Sequence, residues 1–203
     1  MKRIKCIISL ILIFVVTFTI VACGNKNENS NGDDGKMEGN QFVQIEMMDE
    51  SKIVIELLPG YAPISVEYFL ELVKEKYYDG LVFHRAVEGF MIQGGSPNGD
   101  GIGGCGRTVV GEFSSNGYEN NLSHKRGVVS FARTNFPNSA SGQFFIMHDD
   151  GEFLDGNYAA FGRVVEGMEV VDKIATSATS GEILIDKPVM KTVKVLKNYN
   201  TEE

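Results

Sequence analysis

Apolar residues alternate with mostly polar ones along Val43, Ile45 and Met47, and again along Ile53, Ile55 and Leu57, with Asp49-Glu50-Ser51 between the two runs. Successive strand side chains point to opposite faces, so this pattern predicts a β-hairpin with one face of each strand turned to a core. The period changes after Pro59-Gly60. Val66, Phe69, Leu70 and Val73 recur at i, i+3, i+4 and i+7, the stripe of an amphipathic helix that starts near Pro63 or Ser65 and stops at Asp79-Gly80. Short β-like runs follow at 81–84, 90–93, 127–132, 143–147 and 158–164, and residues 107–110 also read as strand. Val171, Ile174 and Ala175 share one face of a short helix predicted over 168–175, and 192–196 closes the chain as a strand. Many short strands with turn signals and two helices predict a small closed β-barrel with helices over its ends.

Composition sharpens this picture. The chain has 203 residues, 43% of them hydrophobic, enough for one sizeable core. Glycine stands out, with 23 residues, or about 11% against a usual value of roughly 7%. That excess disfavours a helical bundle and favours strands, tight turns and close backbone approaches. A formal charge of -8 disfavours nucleic acid as a partner, because such binding relies on basic side chains that release counterions.

The N-terminus departs from the average. Lys2, Arg3 and Lys5 precede an uncharged apolar run from Cys6 to Ala22, the layout of a secretory signal. The run ends in Ile20-Val21-Ala22-Cys23-Gly24, which resembles the lipobox of bacterial lipoproteins. That resemblance implies cleavage of 1–22 and a diacylglycerol on Cys23. Loss of the three basic residues takes the 19 Lys+Arg to 16 against 27 Asp+Glu, a net charge of -11 for the remainder. No polybasic patch then supports the anchor, and the lipid must hold the protein by itself. Cys105 is the one thiol left, so no intrachain disulfide is expected. Gly24 to Gln41 is almost wholly polar and reads as a flexible tether with an r.m.s. span of about 21 to 25 Å. The domain is placed at 42–198, with a polar tail at 199–203. The location implied is the outer face of the cytoplasmic membrane.

Three segments carry the candidate chemistry. Phe83-His84-Arg85-Ala86-Val87-Glu88-Gly89-Phe90-Met91-Ile92-Gln93-Gly94-Gly95 sets an arginine, two large apolar side chains and an amide on strand-like residues and ends in glycines. Ser130-Phe131-Ala132-Arg133-Thr134 leads through Pro137-Asn138-Ser139-Ala140-Ser141-Gly142 into Gln143-Phe144-Phe145-Ile146, and Phe153-Leu154-Asp155-Gly156-Asn157-Tyr158 precedes Phe161-Gly162. In this order they resemble the cyclophilin family of peptidyl-prolyl cis-trans isomerases, from about Val43 to Leu196. The resemblance implies an eight-stranded antiparallel barrel, closed and capped by two helices, whose surface groove binds Xaa-Pro peptides. By motif, Arg85 matches the catalytic arginine and Gln93 the amide beside it. Phe90, Met91, Phe145 and Leu154 match the proline pocket, and Ala132 and Gln143 match groove positions that meet the residues before proline. His84 matches no catalytic base.

Departures from the well-known eukaryotic members fall inside this site. Phe153 stands in place of a tryptophan, Tyr158 of a histidine and Arg133 of an asparagine whose backbone holds the peptide. Loss of the indole N–H removes a donor toward cyclosporin and leaves at most weak binding, while Phe153 and Tyr158 still supply apolar walls. No cofactor, metal or second subunit is implied. Gly101-Ile102-Gly103-Gly104-Cys105-Gly106 is a literal GxGxxG without the strand-turn-helix setting of a dinucleotide site. Met147-His148-Asp149-Asp150 reads as a solvated turn and Cys105 as a packed small residue. The row Glu67, Glu71 and Glu75 reads as a solvated helix face. The activity implied is rotation of Xaa-Pro bonds in exported proteins. A membrane-tethered chaperone module that binds proline peptides with little turnover is the alternative.

Overall fold

The computed structural model describes residues 41–197 and Tyr199, so the expected signal, Cys23 and residues 24–40 of the tether lie outside the described residues. The alternating runs form β1 (Gln41–Met47) and β2 (Lys52–Leu57), paired so that Val43 faces Ile55 and Ile45 faces Ile53, all four fully buried. Gln41, grouped by composition with the tether, is the first residue of β1 and pairs with Leu57. At the other end, the ring of Tyr199 packs 4.7 Å from that of Phe42, and its hydroxyl donates to Glu166 at 3.0 Å.

The first helix, α1 (Pro63–Lys74), stops short of Asp79-Gly80 because Lys76 takes a left-handed φ of 59°, which ends the helical path. Its start holds a second difference. Neither Ala62 nor Ser65 provides a side-chain cap. Instead the buried Glu112, far along the chain, accepts from the backbone N–H groups of Ile64 (3.1 Å) and Ser65 (2.6 Å). A carboxylate at a helix N-terminus satisfies otherwise orphaned donors and complements the helix dipole.

The remaining elements are β3 (Val82–Val87), β4 (Met91–Ser96), β5 (Val128–Phe131), β6 (Phe144–Met147), β7 (Ala160–Glu166), α2 (Met168–Ala175), β8 (Thr179–Ser180), β9 (Ile183–Leu184) and β10 (Met190–Leu196). Eight of the ten strands correspond to the predicted runs; the β8–β9 hairpin is additional. Residues 107–110 make only an isolated bridge, Val109 to Ala140, while the Arg107 guanidinium pairs with Glu75 at 2.9 Å and Glu71 at 3.5 Å, so this acidic row is partly engaged.

The strands form one antiparallel sheet in the order β10-β1-β2-β7-β5-β6-β4-β3-β9-β8. This corrects the expected closed eight-stranded barrel, because the sheet has ten strands and its ladder does not close. β3 and the start of β10 meet through a single bridge, Val82 to Val189, flanked by hydrogen bonds from Phe83 N to Pro188 O and Met190 N to Leu81 O. Pro188 accepts but has no N–H to return, so the ladder stops on that side of the bridge.

Two apolar clusters lie on the two faces of the sheet. Phe83, Ile92, Phe144, Ile146 and Phe161 join the main core. There Phe69 of α1 packs against the rings of Phe161 (5.0 Å), Tyr78 (5.2 Å) and Phe144 (5.7 Å). Met91, Phe145, Met147 and Ala160 form a second, separate cluster. β6 is therefore buried on both faces, which explains its unbroken apolar run. Replacing the remote cap with Glu112→Ala leaves the buried Ser65 N–H and the part-buried Ile64 N–H without this acceptor and should lower unfolding stability by about 1 to 3 kcal/mol. Urea denaturation of the variant against the parent checks this.

Candidate functional site

Register brings the site together. Arg85 pairs across the ladder with Gln93, and Gln93 with Phe145. Directly opposed residues in antiparallel strands project to the same face, so arginine, amide and aromatic ring stand in a row. A bulge between Phe83 and Arg85 re-aims β3 at this point.

The orientation of both amides in the row follows from one end. The carbonyls of Gly101 and Gly103 accept from Gln143 Nε2 at 3.0 and 2.8 Å. Gln143 must then turn its Oε1 toward Gln93, whose Nε2 donates to it at 2.9 Å. That leaves Gln93 Oε1 facing Arg85, where it accepts from Nη1 at 3.0 Å. Met91 Sδ lies 3.9 Å from the same nitrogen. On the other edge of the guanidinium, Glu182 Oε2 lies 2.7 Å from both Nε and Nη2. Glycine is required beside this chain of amides, since a Cβ on Gly95, at φ 85°, would lie 2.5 Å from the Gly142 carbonyl oxygen.

Beside Arg85, Met91, Phe145 and Leu154 are buried and Phe90, Ala132 and Tyr158 partly so, all in the second apolar cluster. The Phe145 ring meets Tyr158 edge-on at 5.7 Å and stacks on His124 at 6.0 Å. Phe153, expected to supply an apolar wall, packs 5.4 Å from Phe90 and is 73% exposed, so it stands at the rim of the pocket. Gln93, Ala132, Arg133 and Gln143 line an adjoining groove of about 340 Å³, together with Gly101 and Gly104. The Arg133 guanidinium is held away from ligand duty, 4.7 Å over Tyr158 and 5.0 Å over Phe113, with Nε donating to Asn157 O and Nη1 to Thr134 O. Among the described residues its backbone N–H and C=O have no partner, which leaves them open to an extended peptide.

Sequence reasoning assigned no role to His124, Asp155 or Glu182. His124 is fully buried, and its Nδ1 lies 2.7 Å from Asp155 Oδ1, which also accepts from the His124 backbone N–H. Burial pushes the His124 pKa down, and Asp155 only partly restores it. Burial pushes the Asp155 carboxyl up, but hydrogen bonds from Ser123 and His124 outweigh it and hold the pKa low. The imidazole is thus a neutral platform under Phe145. Asp155 stood inside a motif already recognised; Glu182 had only the turn pattern Ser180-Gly181-Glu182-Ile183 as a signal.

His84 is also buried and held low by burial, with Lys187 and Arg85 nearby adding to the effect, so it offers no base to the groove. His148 Nδ1 accepts from Gly89 N at 2.9 Å, and Asp150 accepts from Arg126 N and Lys125 Nζ. The expected turn at 147–150 is therefore a hydrogen-bonded loop junction. Cys105 packs against the Tyr68 hydroxyl, 2.9 Å from Sγ. Among the described residues no group of three His, Cys, Asp or Glu could hold a metal ion. What the site offers is a fixed cationic donor next to an apolar pocket. That arrangement suits a reaction that breaks no covalent bond.

The family model of cyclophilin-type peptidyl-prolyl cis-trans isomerases matches residues 42–199. A peptidyl-prolyl cis-trans isomerase of Acinetobacter baylyi is 40% identical over 158 residues, covering 73% of this chain and 82% of that one. Peptidyl-prolyl cis-trans isomerase B of Bacillus subtilis is 37% identical over 138 residues, covering 68% and 93%. A cyclophilin-type isomerase from Cryptosporidium parvum, solved in the presence of the dipeptide Ala-Pro, superposes with a TM-score of 0.70 at 30% identity, over 78% of this chain and 100% of that one. The chain belongs to the cyclophilin-type peptidyl-prolyl cis-trans isomerases.

The buried histidine sets an acid limit. A base whose folded pKa lies below its unfolded value of 6.5 binds fewer protons when folded, so its stabilising contribution is complete above about pH 6.5 and is lost as pH falls below that value. Urea unfolding followed from pH 7.5 to 5 should show stability falling toward acid, with a shallower slope in His124→Gln.

Proposed function

We propose that this isomerase accelerates Xaa-Pro rotation in exported proteins at the outer face of the cytoplasmic membrane, held there by a lipid on Cys23, and that Arg85 is the donor that drives it. The Arg85 fork, fixed beside an apolar pocket, carries the mechanistic part of the reading. Amide resonance sets a rotation barrier near 18 to 20 kcal/mol, and spontaneous exchange takes tens of seconds or more. Millisecond turnover needs about 10⁴-fold, or roughly 5 to 6 kcal/mol of stabilisation confined to the transition state. As the bond twists, the proline nitrogen leaves conjugation and its lone pair becomes an acceptor. Arg85, always charged, donates to it. A charge-assisted hydrogen bond contributes only about 1.5 to 3 kcal/mol net in an average setting. The remainder comes from Phe90, Met91, Phe145 and Leu154, which grip the ring and exclude water, strengthening the electrostatics.

Unfolded chains as substrates are supported by the rim. Ile102, Phe136 and Phe153, 70%, 76% and 73% exposed, sit on loops that border the groove or on its Phe90 edge. Exposed apolar groups around a groove favour extended, unfolded polypeptide. The location rests on the basic-apolar N-terminus and the Cys23 context.

Arg85→Ala should lower kcat/KM in an Xaa-Pro peptide assay by about 100-fold with unfolding stability unchanged; an unaltered rate would sink the mechanism, and retained affinity with no turnover in the parent would favour the chaperone reading. Ile102→Ser combined with Phe136→Ser should slow catalysed refolding of a proline-limited protein about threefold or more while leaving a short peptide substrate unaffected. For the anchor, the full chain expressed in a bacterial host should fractionate with membranes and carry a diacylglycerol-modified N-terminal peptide by mass spectrometry. Cys23→Ala should lose the modification; an unmodified, soluble parent chain contradicts the lipid reading.

A further inference from the structure

Gln93 secures one side of Arg85, but the closer contact is on the other side. Glu182 Oε2 accepts from Nε and lies equally close, 2.7 Å, to Nη2. Of the five guanidinium N–H groups, one then donates to Glu182 and one to Gln93. The second N–H of Nη1 faces only the weak acceptor Met91 Sδ at 3.9 Å, and the N–H groups of Nη2, close to Glu182 as an ion pair, make no hydrogen bond among the described residues. We propose that Glu182 is a positioning residue that locks Arg85 in the rotamer presenting these remaining donors to the proline nitrogen. This rests on the reading of Arg85 as that donor.

The backbone is built to deliver the carboxylate. Gly181 and Glu182 form the two-residue turn of the β8–β9 hairpin, with Gly181 at φ 65° as a tight hairpin of this length demands. The hairpin is joined to the arginine's own strand at this point, through the Arg85–Ile183 pairing and a 2.9 Å hydrogen bond from Ala86 N to Glu182 O. Carboxylate and guanidinium therefore start from fixed, neighbouring backbones. Unanchored, a long flexible arginine would have to be ordered anew in each turnover, and misplacement of a reacting group costs rate steeply. The Glu182 side chain is 55% exposed, so the pair contributes little to stability and its removal leaves the fold standing.

Glu182→Ala should lower kcat for a neutral Xaa-Pro peptide about tenfold with KM unchanged, and Glu182→Gln, which keeps an acceptor without the charge, about threefold. In an Arg85→Ala background Glu182→Ala should cost nothing further. Independently of turnover, the Arg85 Nε–H signal in a ¹H–¹⁵N spectrum should be distinct and slowly exchanging in the parent and averaged with solvent in Glu182→Ala. If Arg85→Ala is sluggish while Glu182→Ala keeps both full kcat and the Nε–H signal, the positioning role is overturned and the donor role survives. If Arg85→Ala keeps full activity, both fall.

Discussion

Arg85, Gln93 and Phe145 are consecutive partners across three antiparallel strands, and every feature of the site depends on that register. Side chains alternate between faces, so a slip of one residue in β4 would send Gln93 into the core and Ile92 into the groove. The slip is prevented from both sides. Ile92 and Phe144 are fully buried against the rings around Phe69, while Met91 and Phe145 are buried in the second cluster. The same packing that stabilises the sheet holds the arginine opposite its amide.

The two amides of the polar row are oriented by backbone and not by titratable groups. The carbonyls of Gly101 and Gly103 set Gln143, which sets Gln93, which sets one edge of Arg85. Backbone carbonyls carry no proton to lose, so the orientation of the amides is indifferent to pH, whereas the aromatic floor rests on a histidine whose charged form burial disfavours. The glycines therefore do more than admit a substrate. Seven of the 23 lie between Gly94 and Gly106, and two of them, Gly101 and Gly103, present their carbonyls to Gln143.

Much of this was legible in the sequence. Alternation at Val43–Leu57 and the i, i+3, i+4, i+7 stripe on α1 are local signals of burial, and the motif residues Arg85, Phe90, Met91, Gln93, Gln143, Phe145 and Leu154 do converge on one side of the sheet. What stayed hidden arises from contacts between distant residues. Glu112 caps a helix that its neighbours in sequence give no reason to associate with it. The β8–β9 hairpin has two residues per strand and an exposed Ile183, too short for alternation to register. Arg107 to Val110 carries strand-forming residues, but only Val109 finds a partner, in a single bridge to Ala140. Closure was misjudged because a proline's effect on a ladder depends on which neighbour it faces, and Pro188 sits at the seam.

β1 is the strand through which the described domain begins, and it is paired on both sides, with β10 and with β2. A pull transmitted along the chain into Gln41 therefore acts lengthwise on two ladders at once and loads their hydrogen bonds in shear. An edge strand would instead peel away one bond at a time. Gln41 is consequently a point of high mechanical resistance, and a force applied there would load both ladders of β1 before it disturbed the row that holds Arg85.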